Sequence, residues 1–132
     1  MLLVPGQHKV DIFTEIERIM DENYEIHILK GVMDELAKLA VGNSADAQAA
    51  RLGKMLLEHQ QKRDFAAATG TQCKALKIIS QSKEKHVDDA IVSIAEDDTL
   101  VATNDAELKR RLLDKGIRVI YLRQQKHLTI ST

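Results

Sequence analysis

The chain has few of the residues that cross-link a fold or stack within it. Of its 132 residues, one is cysteine, one is proline and none is tryptophan. A single cysteine excludes an intrachain disulfide and a zinc cluster of several thiolates, and it fits a reducing cytoplasm. Because aromatic residues make up 3% of the chain, the core must be built from Leu, Ile, Val, Ala and Met.

The chain also lacks a large net charge and a long apolar run. Nineteen Lys and Arg nearly balance twenty Asp and Glu, giving a formal charge of −1. This balance excludes a broad basic surface that holds DNA nonspecifically, while a local basic stripe stays open. No apolar run approaches the roughly 18 residues that cross a membrane, and the short apolar start predicts no signal peptide. Length and a hydrophobic content of 44% predict one domain over residues 1–132.

Helical and strand patterns alternate along the chain. The predicted helices are Val10–Met20, Val32–Ala40, Ala45–His59 with Ser44 as N-cap, Asp88–Glu96 and Ala106–Lys115. The predicted strands are Tyr24–Leu29, Lys74–Ser80, Thr99–Thr103 and Ile117–Leu122. This alternation predicts right-handed crossovers and a mainly parallel sheet. The rest reads as a few β-like residues at Leu2–Val4, a turn at Thr69–Thr71 beside a short helical stretch at Ala66–Ala68, a polar connection at Gln81–Lys85, and a polar tail with a small apolar clasp at Leu128–Ile130.

Three carboxylates fall where a parallel sheet builds its sites. Glu35 lies in the helix after the first predicted strand, Asp88 opens the helix before Thr99–Thr103, and Asp105 directly follows that strand. Ligands bind beyond the carboxyl ends of parallel strands. Carboxylates crowded there repel one another unless a cation neutralises them, and an all-oxygen cluster suits Mg²⁺ or Mn²⁺. The pattern predicts metal-dependent phosphodiester hydrolysis.

Each of these positions also has a purely structural interpretation, which the sequence leaves open. Asp88 and Asp105 are good helix N-caps. Asn104 with Glu107 resembles half of a capping box, and Glu35 fits a solvated helix face.

The fragments VMDELAKL, VDDAIVSIA and VATNDAELKRRL, followed by GIRVIYL, resemble a PIN domain. The likeness is strongest to the small archaeal and eukaryotic PIN proteins linked to ribosomal RNA processing, and it spans nearly the whole chain. It implies a three-layer, Rossmann-like α/β fold with a mainly parallel central sheet, and an Mg²⁺- or Mn²⁺-dependent ribonuclease that cuts single-stranded RNA. The resemblance implies Glu35, Asp88 and Asp105 as catalytic and metal-ligating residues, Asp89 and Glu107 as second-shell or alternate ligands, and Thr103 as a supporting hydroxyl.

The chain departs from the PIN pattern at its start. The family begins with a strand that ends in an Asp-Thr-Asn/Ser type motif, and that Asp is a principal metal ligand. Matching KVDIF to the family's first helix places this Asp before Met1, and Asp11 is predicted to lie inside the helix. We therefore expect either a first strand outside the given sequence or an inactive or partner-dependent member of the family.

Basic residues follow the last predicted carboxylate. Lys109, Arg110 and Arg111 are predicted to contact RNA phosphates, which fixes register without reading sequence; a solvated helix face is the alternative. The five histidines lack metal-ligand spacing, and Cys73 has no neighbouring base. The expected partners are single-stranded RNA, a second copy in a homodimer, and an antitoxin or a ribosome-biogenesis protein. The alternative functions are an inactive PIN-like RNA- or protein-binding module and a toxin of a toxin–antitoxin pair.

Overall fold

The computed structural model describes residues 1–63, 72–80 and 86–131. Its helices are α1 (Val4–His8), α2 (Ile12–Ile19), α3 (Lys30–Leu39), α4 (Ala45–Gln61), α5 (Val87–Ile94) and α6 (Ala106–Asp114). Its strands are β1 (Tyr24–Leu29), β2 (Cys73–Ile79), β3 (Leu100–Ala102), β4 (Arg118–Arg123) and β5 (His127–Ile130). The turn predicted at Thr69–Thr71, the helical stretch at Ala66–Ala68 and the connection at Gln81–Lys85 lie outside the described residues.

Capping side chains determine where two helices begin. The Ser44 hydroxyl accepts the Ala47 N–H at 3.0 Å, which confirms the predicted N-cap of α4. Asp11 caps α2, because its Oδ1 accepts the N–H groups of Phe13 and Thr14 at 3.1 and 3.3 Å. The prediction that Asp11 lies inside the helix is therefore wrong.

The start of the chain is helical rather than β-like. Val4 begins α1, with Pro5 in the first turn, where a missing N–H costs nothing. The helix lies against α4 so closely that a Cβ added at Gly6 would sit 2.5 Å from the Cα of Ala49. Tertiary packing thus overrides the β-like pattern of Leu2–Val4.

The strands pair as two hydrogen-bonded sheets in the described part of the chain. β1 and β2 are parallel, with Leu29 beside Ile79 at their carboxyl ends. β3 is parallel to β4, and β5 is antiparallel to β4. The α/β class with parallel strand pairing is confirmed, although the strands form two sheets instead of one continuous central sheet.

Apolar side chains cover both faces of β4. Ile120 belongs to a core with residues of α1, α2, α4 and β5, whereas the adjacent Val119 belongs to a second core with residues of α5 and α6. Because neighbouring residues of a strand point to opposite faces, these two cores place helices on both sides of the sheet. This is the three-layer arrangement that the resemblance to PIN domains implies.

Part of the predicted polar tail, His127–Ile130, is the strand β5. Leu128, in β5, is 1% exposed, and α2 holds its backbone on both sides. The Glu15 carboxylate accepts the Leu128 N–H at 3.1 Å, and the Arg18 guanidinium donates to the Leu128 carbonyl at 3.1 Å. Arg18 also pairs with Glu15 at 2.8 Å. The Arg18 guanidinium, helped by the Leu128 N–H, holds the pKa of Glu15 below its ordinary value.

We predict that Glu15→Gln lowers the free energy of unfolding at neutral pH by about 1 kcal/mol, because the charged hydrogen bond is lost. Since the folded-state pKa is depressed, this contribution is fully present above the ordinary value of 4.5. It is lost as the pH falls through the folded pKa. Urea unfolding from pH 7 to pH 3 measures it. The control is Glu22→Gln, at an exposed position. If Glu15→Gln were less stable than the wild type by the same free energy at pH 3 as at pH 7, the charged hydrogen bond of Glu15 would not be the cause.

Candidate functional site

The turn after β3 fixes the position of Asp105. The pairing of β3 with β4 continues past Ala102, since the Thr103 N–H donates to the Ile120 carbonyl at 2.9 Å. The Thr103 side chain is buried at 8% exposure, and its hydroxyl accepts the Asp105 N–H at 3.2 Å. One residue on, Asn104 Oδ1 accepts the Leu122 N–H at 2.9 Å. Hydrogen bonds of Thr103 and Asn104 therefore connect this turn to β4, and the bond between Thr103 and Asp105 stabilises the turn internally.

Asp105 is the N-cap of α6 and is exposed. Its Oδ1 accepts the Leu108 N–H at 2.8 Å, as the structural interpretation predicts. The carboxylate also lies within electrostatic range of the Met1 amino group. Burial lowers the pKa of that amino group, and the negative charge of Asp105 opposes the shift. A capping role and an exposed carboxylate therefore coexist at Asp105.

Glu35 and Asp88 are both exposed on helices that follow parallel strands. Glu35 lies in α3, directly after β1, and Asp88 lies in the first turn of α5, whose N-cap is His86. The apolar residues Ile28, Met33 and Ala102 pack against one core. Residues near the ends of β1 and β3 therefore pack against a common core.

The two alternate ligands, Asp89 and Glu107, each form hydrogen bonds with an arginine. Asp89 Oδ1 accepts from the Arg111 guanidinium at 2.8 Å. Glu107 accepts two hydrogen bonds from Arg110, at 2.5 and 3.1 Å, and these contacts hold the pKa of Glu107 below its ordinary value. Both carboxylates already have a cationic partner.

The donor chemistry at this edge suits a hard divalent cation, but the donors are not gathered. Glu35, Asp88 and Asp105 offer exposed carboxylate oxygens, the ligand type that Mg²⁺ and Mn²⁺ prefer. Among the described residues, however, no group of three or more His, Cys, Asp or Glu side chains is arranged to hold a metal ion. The three predicted ligands therefore do not form a complete metal site by themselves.

Cys73 lies in a buried polar cluster at the opposite, amino-terminal end of β1 and β2. Burial raises the pKa of the Cys73 thiol, so the thiolate that a nucleophile needs is disfavoured. Beside it, the Tyr24 hydroxyl donates to Glu17 Oε2 at 2.6 Å, and the Gln72 N–H donates to Oε1. Burial works to raise the pKa of Glu17, but these hydrogen bonds outweigh it. The cluster has a structural role.

A family model described as a PIN-like domain matches residues 1–125. The chain belongs to the PIN-like domain family. Ribonuclease VapC4 of Methanocaldococcus jannaschii is 28% identical to it over 134 residues, covering 98% of this chain and 89% of the relative. The predicted resemblance is thereby confirmed, and the Rossmann-like fold of PIN domains agrees with the two parallel strand pairings. No helix within the described ranges is long and apolar enough to span a membrane.

The sequence interpretation missed two features of this PIN-like domain. The sequence favours Asn104 as half of a capping box, whereas its side chain bonds to the neighbouring strand and Asp105 makes the cap. No sequence pattern assigns a role to Tyr121, yet the Lys109 ammonium lies 3.4 Å from the centroid of its ring. The sequence feature that could have pointed to this contact is the position of Lys109, one helical turn after Asp105.

We predict that Thr103→Val exposes the Asp105 amide to faster hydrogen exchange, because the β-branched shape is kept while the acceptor for that N–H is removed. Thr103→Ser keeps the hydroxyl and is the matched control. The lost bond is worth about 1 kcal/mol, so exchange at Asp105 should rise roughly fivefold in the valine variant. Equal protection of this amide in both variants would show that the hydroxyl does not position the turn.

Proposed function

We propose that the protein is an endoribonuclease that hydrolyses phosphodiester bonds of single-stranded RNA with the help of Mg²⁺ or Mn²⁺. The observation that carries the proposal is the similarity to Ribonuclease VapC4 along 98% of the chain. The placement of exposed carboxylates after parallel strands supports it, because ligands bind at that edge of such sheets. Ribosomal RNA processing stays a prediction of the sequence resemblance.

In this proposal Glu35, Asp88 and Asp105 are the metal-ligating and catalytic residues. These carboxylates would hold a divalent cation, which would supply positive charge at the phosphodiester and lower the pKa of a water molecule. The protein's own part is to hold the carboxylates. Asp105 is held by its bond to the Leu108 N–H and by the Thr103 hydroxyl on its backbone. Asp89 and Glu107, each engaged by an arginine, are less suited to a metal than Asp88 and Asp105.

The first experiment is cleavage of labelled single-stranded RNA in Mn²⁺, with EDTA as the negative control. We expect Asp105→Asn to reduce the cleavage rate about 100-fold or more, because a charged ligand at the reacting phosphate is lost. Asparagine is also a good N-cap, so the helix start is preserved. Asp88→Asn should have a comparable effect.

The matched control is Asp114→Asn, at the other end of α6, where the carboxylate pairs with Arg110 at 3.0 Å. This variant should cut at the wild-type rate. Cleavage that survives in EDTA, or that falls equally in Asp105→Asn and Asp114→Asn, would refute the proposed site.

A second candidate is a PIN-like module that binds RNA or protein without cutting. It is favoured by the observation that the described carboxylates are not gathered into a three-ligand group. It predicts RNA binding that divalent metal does not change and no cleavage under any metal. A toxin of a toxin–antitoxin pair would share the ribonuclease site, and growth arrest on expression, relieved by a neighbouring small protein, distinguishes it.

A further inference from the structure

The three consecutive cations of α6 differ in how far their charges are compensated. Arg110 lies between two carboxylates, bonding Glu107 at 2.5 Å and Asp114 at 3.0 Å. Arg111 pairs with Asp89 at 2.8 Å. Lys109 has no carboxylate at ion-pair distance among the described residues, and its ammonium lies 3.4 Å from the centre of the Tyr121 ring. A ring attracts a cation without cancelling its charge, so Lys109 keeps a full positive charge in a defined place.

Arg123 extends the same face of β4. Alternate residues of a strand share a face and lie about 7 Å apart, so Arg123 follows Tyr121 on the side that faces α6. Arg123 is exposed, and no ion pair of its guanidinium occurs within the described part of the chain. The Tyr121 hydroxyl has no hydrogen-bond partner among the described residues, which leaves its donor available to a ligand.

This face lies beside Asp105. The Lys109 N–H bonds the Asp105 carbonyl at 2.9 Å, so Lys109 lies in the first turn of α6, one helical turn after Asp105. The bond between Asn104 and the Leu122 N–H joins the Asp105 turn to the end of β4, between Tyr121 and Arg123. The Asp105 turn therefore adjoins the end of β4 that carries Tyr121 and Arg123, with Lys109 over the Tyr121 ring.

We propose that Lys109, Tyr121 and Arg123 form a binding surface, the phosphate lip, for the backbone of single-stranded RNA next to the scissile phosphate. The inference rests on the proposed function and adds which part of the substrate is held and by which side chains. Proteins that bind single-stranded nucleic acids follow the backbone with positively charged side chains and place aromatic rings beside them, and Lys109, Arg123 and Tyr121 supply both. Because Tyr121 holds the Lys109 ammonium in place, less entropy is lost when a phosphate binds. Arg110 and Arg111, whose charges are already neutralised, contribute little.

Binding of a short fluorescein-labelled single-stranded RNA to the full chain in EDTA, followed by anisotropy, tests the lip without cleavage. We expect Lys109→Ala and Arg123→Ala each to raise the Kd about three- to tenfold. Each should reduce the steepness of the salt dependence by about 0.7 in the logarithmic slope. Lys109→Arg keeps the charge and the ring contact, so it should restore wild-type binding. Arg110→Ala is the matched control and should leave the Kd within about twofold.

Equal weakening by Arg110→Ala and Lys109→Ala would overturn the lip, because a diffuse charge effect would then explain binding. Wild-type binding in both Lys109→Ala and Arg123→Ala would also overturn it, and so would a wild-type chain that binds no RNA. The cleavage assay separates the two proposals. If the lip variants cut RNA with an unchanged KM, the proposed phosphate lip is wrong and the proposed ribonuclease activity is supported. If the lip variants bind RNA weakly but the wild type does not cut RNA, the proposed ribonuclease activity is wrong and the proposed lip is supported. If both are right, the lip variants should raise KM and leave kcat unchanged.

Discussion

The burial of β4 on both faces is the constraint on which the rest of the structure depends. Val119 and Ile120, adjacent in sequence, are 0% and 4% exposed and belong to different cores. One strand therefore holds two layers of helices while it hydrogen-bonds β3 on one edge and β5 on the other. The same strand supplies the partners that fix the Asp105 turn, Ile120 and Leu122. Fold and candidate site share this single support, so a disturbance of β4 should reach both.

The electrostatics of the site follow from how its charges are paired. Several acids and bases at this edge compensate one another inside the protein, as in the pair of Asp89 with Arg111. Asp105 and Lys109, one helical turn apart, carry opposite charges, and neither forms an ion pair with another side chain among the described residues, although the Met1 amino group lies within electrostatic range of Asp105. A site that must hold a cation and a polyanion side by side needs such a division. The net charge of the chain, which is close to zero, does not reveal this local separation of charges.

The sequence predicted those features that depend on local patterns. The alternation in YEIHIL predicted β1 with its observed bounds, and Ser44 and Asp105 were recognisable caps because their bonds span three residues. Features that depend on residues far apart in the sequence could not be predicted from local patterns. β5 pairs with β4, and its backbone is also held by Glu15 and Arg18, more than 100 residues away in sequence. The pair of Asp89 with Arg111 spans 22 residues, so the sequence alone gave no reason to separate Arg111 from Lys109.

The central claim is that the carboxylates beyond β1, β2 and β3 bind a catalytic cation, and paramagnetic broadening by Mn²⁺ tests it most directly. In a ¹⁵N-labelled sample at low Mn²⁺, the account predicts that amide signals around Asp88 and Asp105 broaden first, with Glu35 close behind. The exposed acidic turn at Glu96, Asp97 and Asp98 serves as the internal control, since it offers as many carboxylates away from that edge. Broadening centred on this turn, or spread evenly over the acidic residues, would contradict the account.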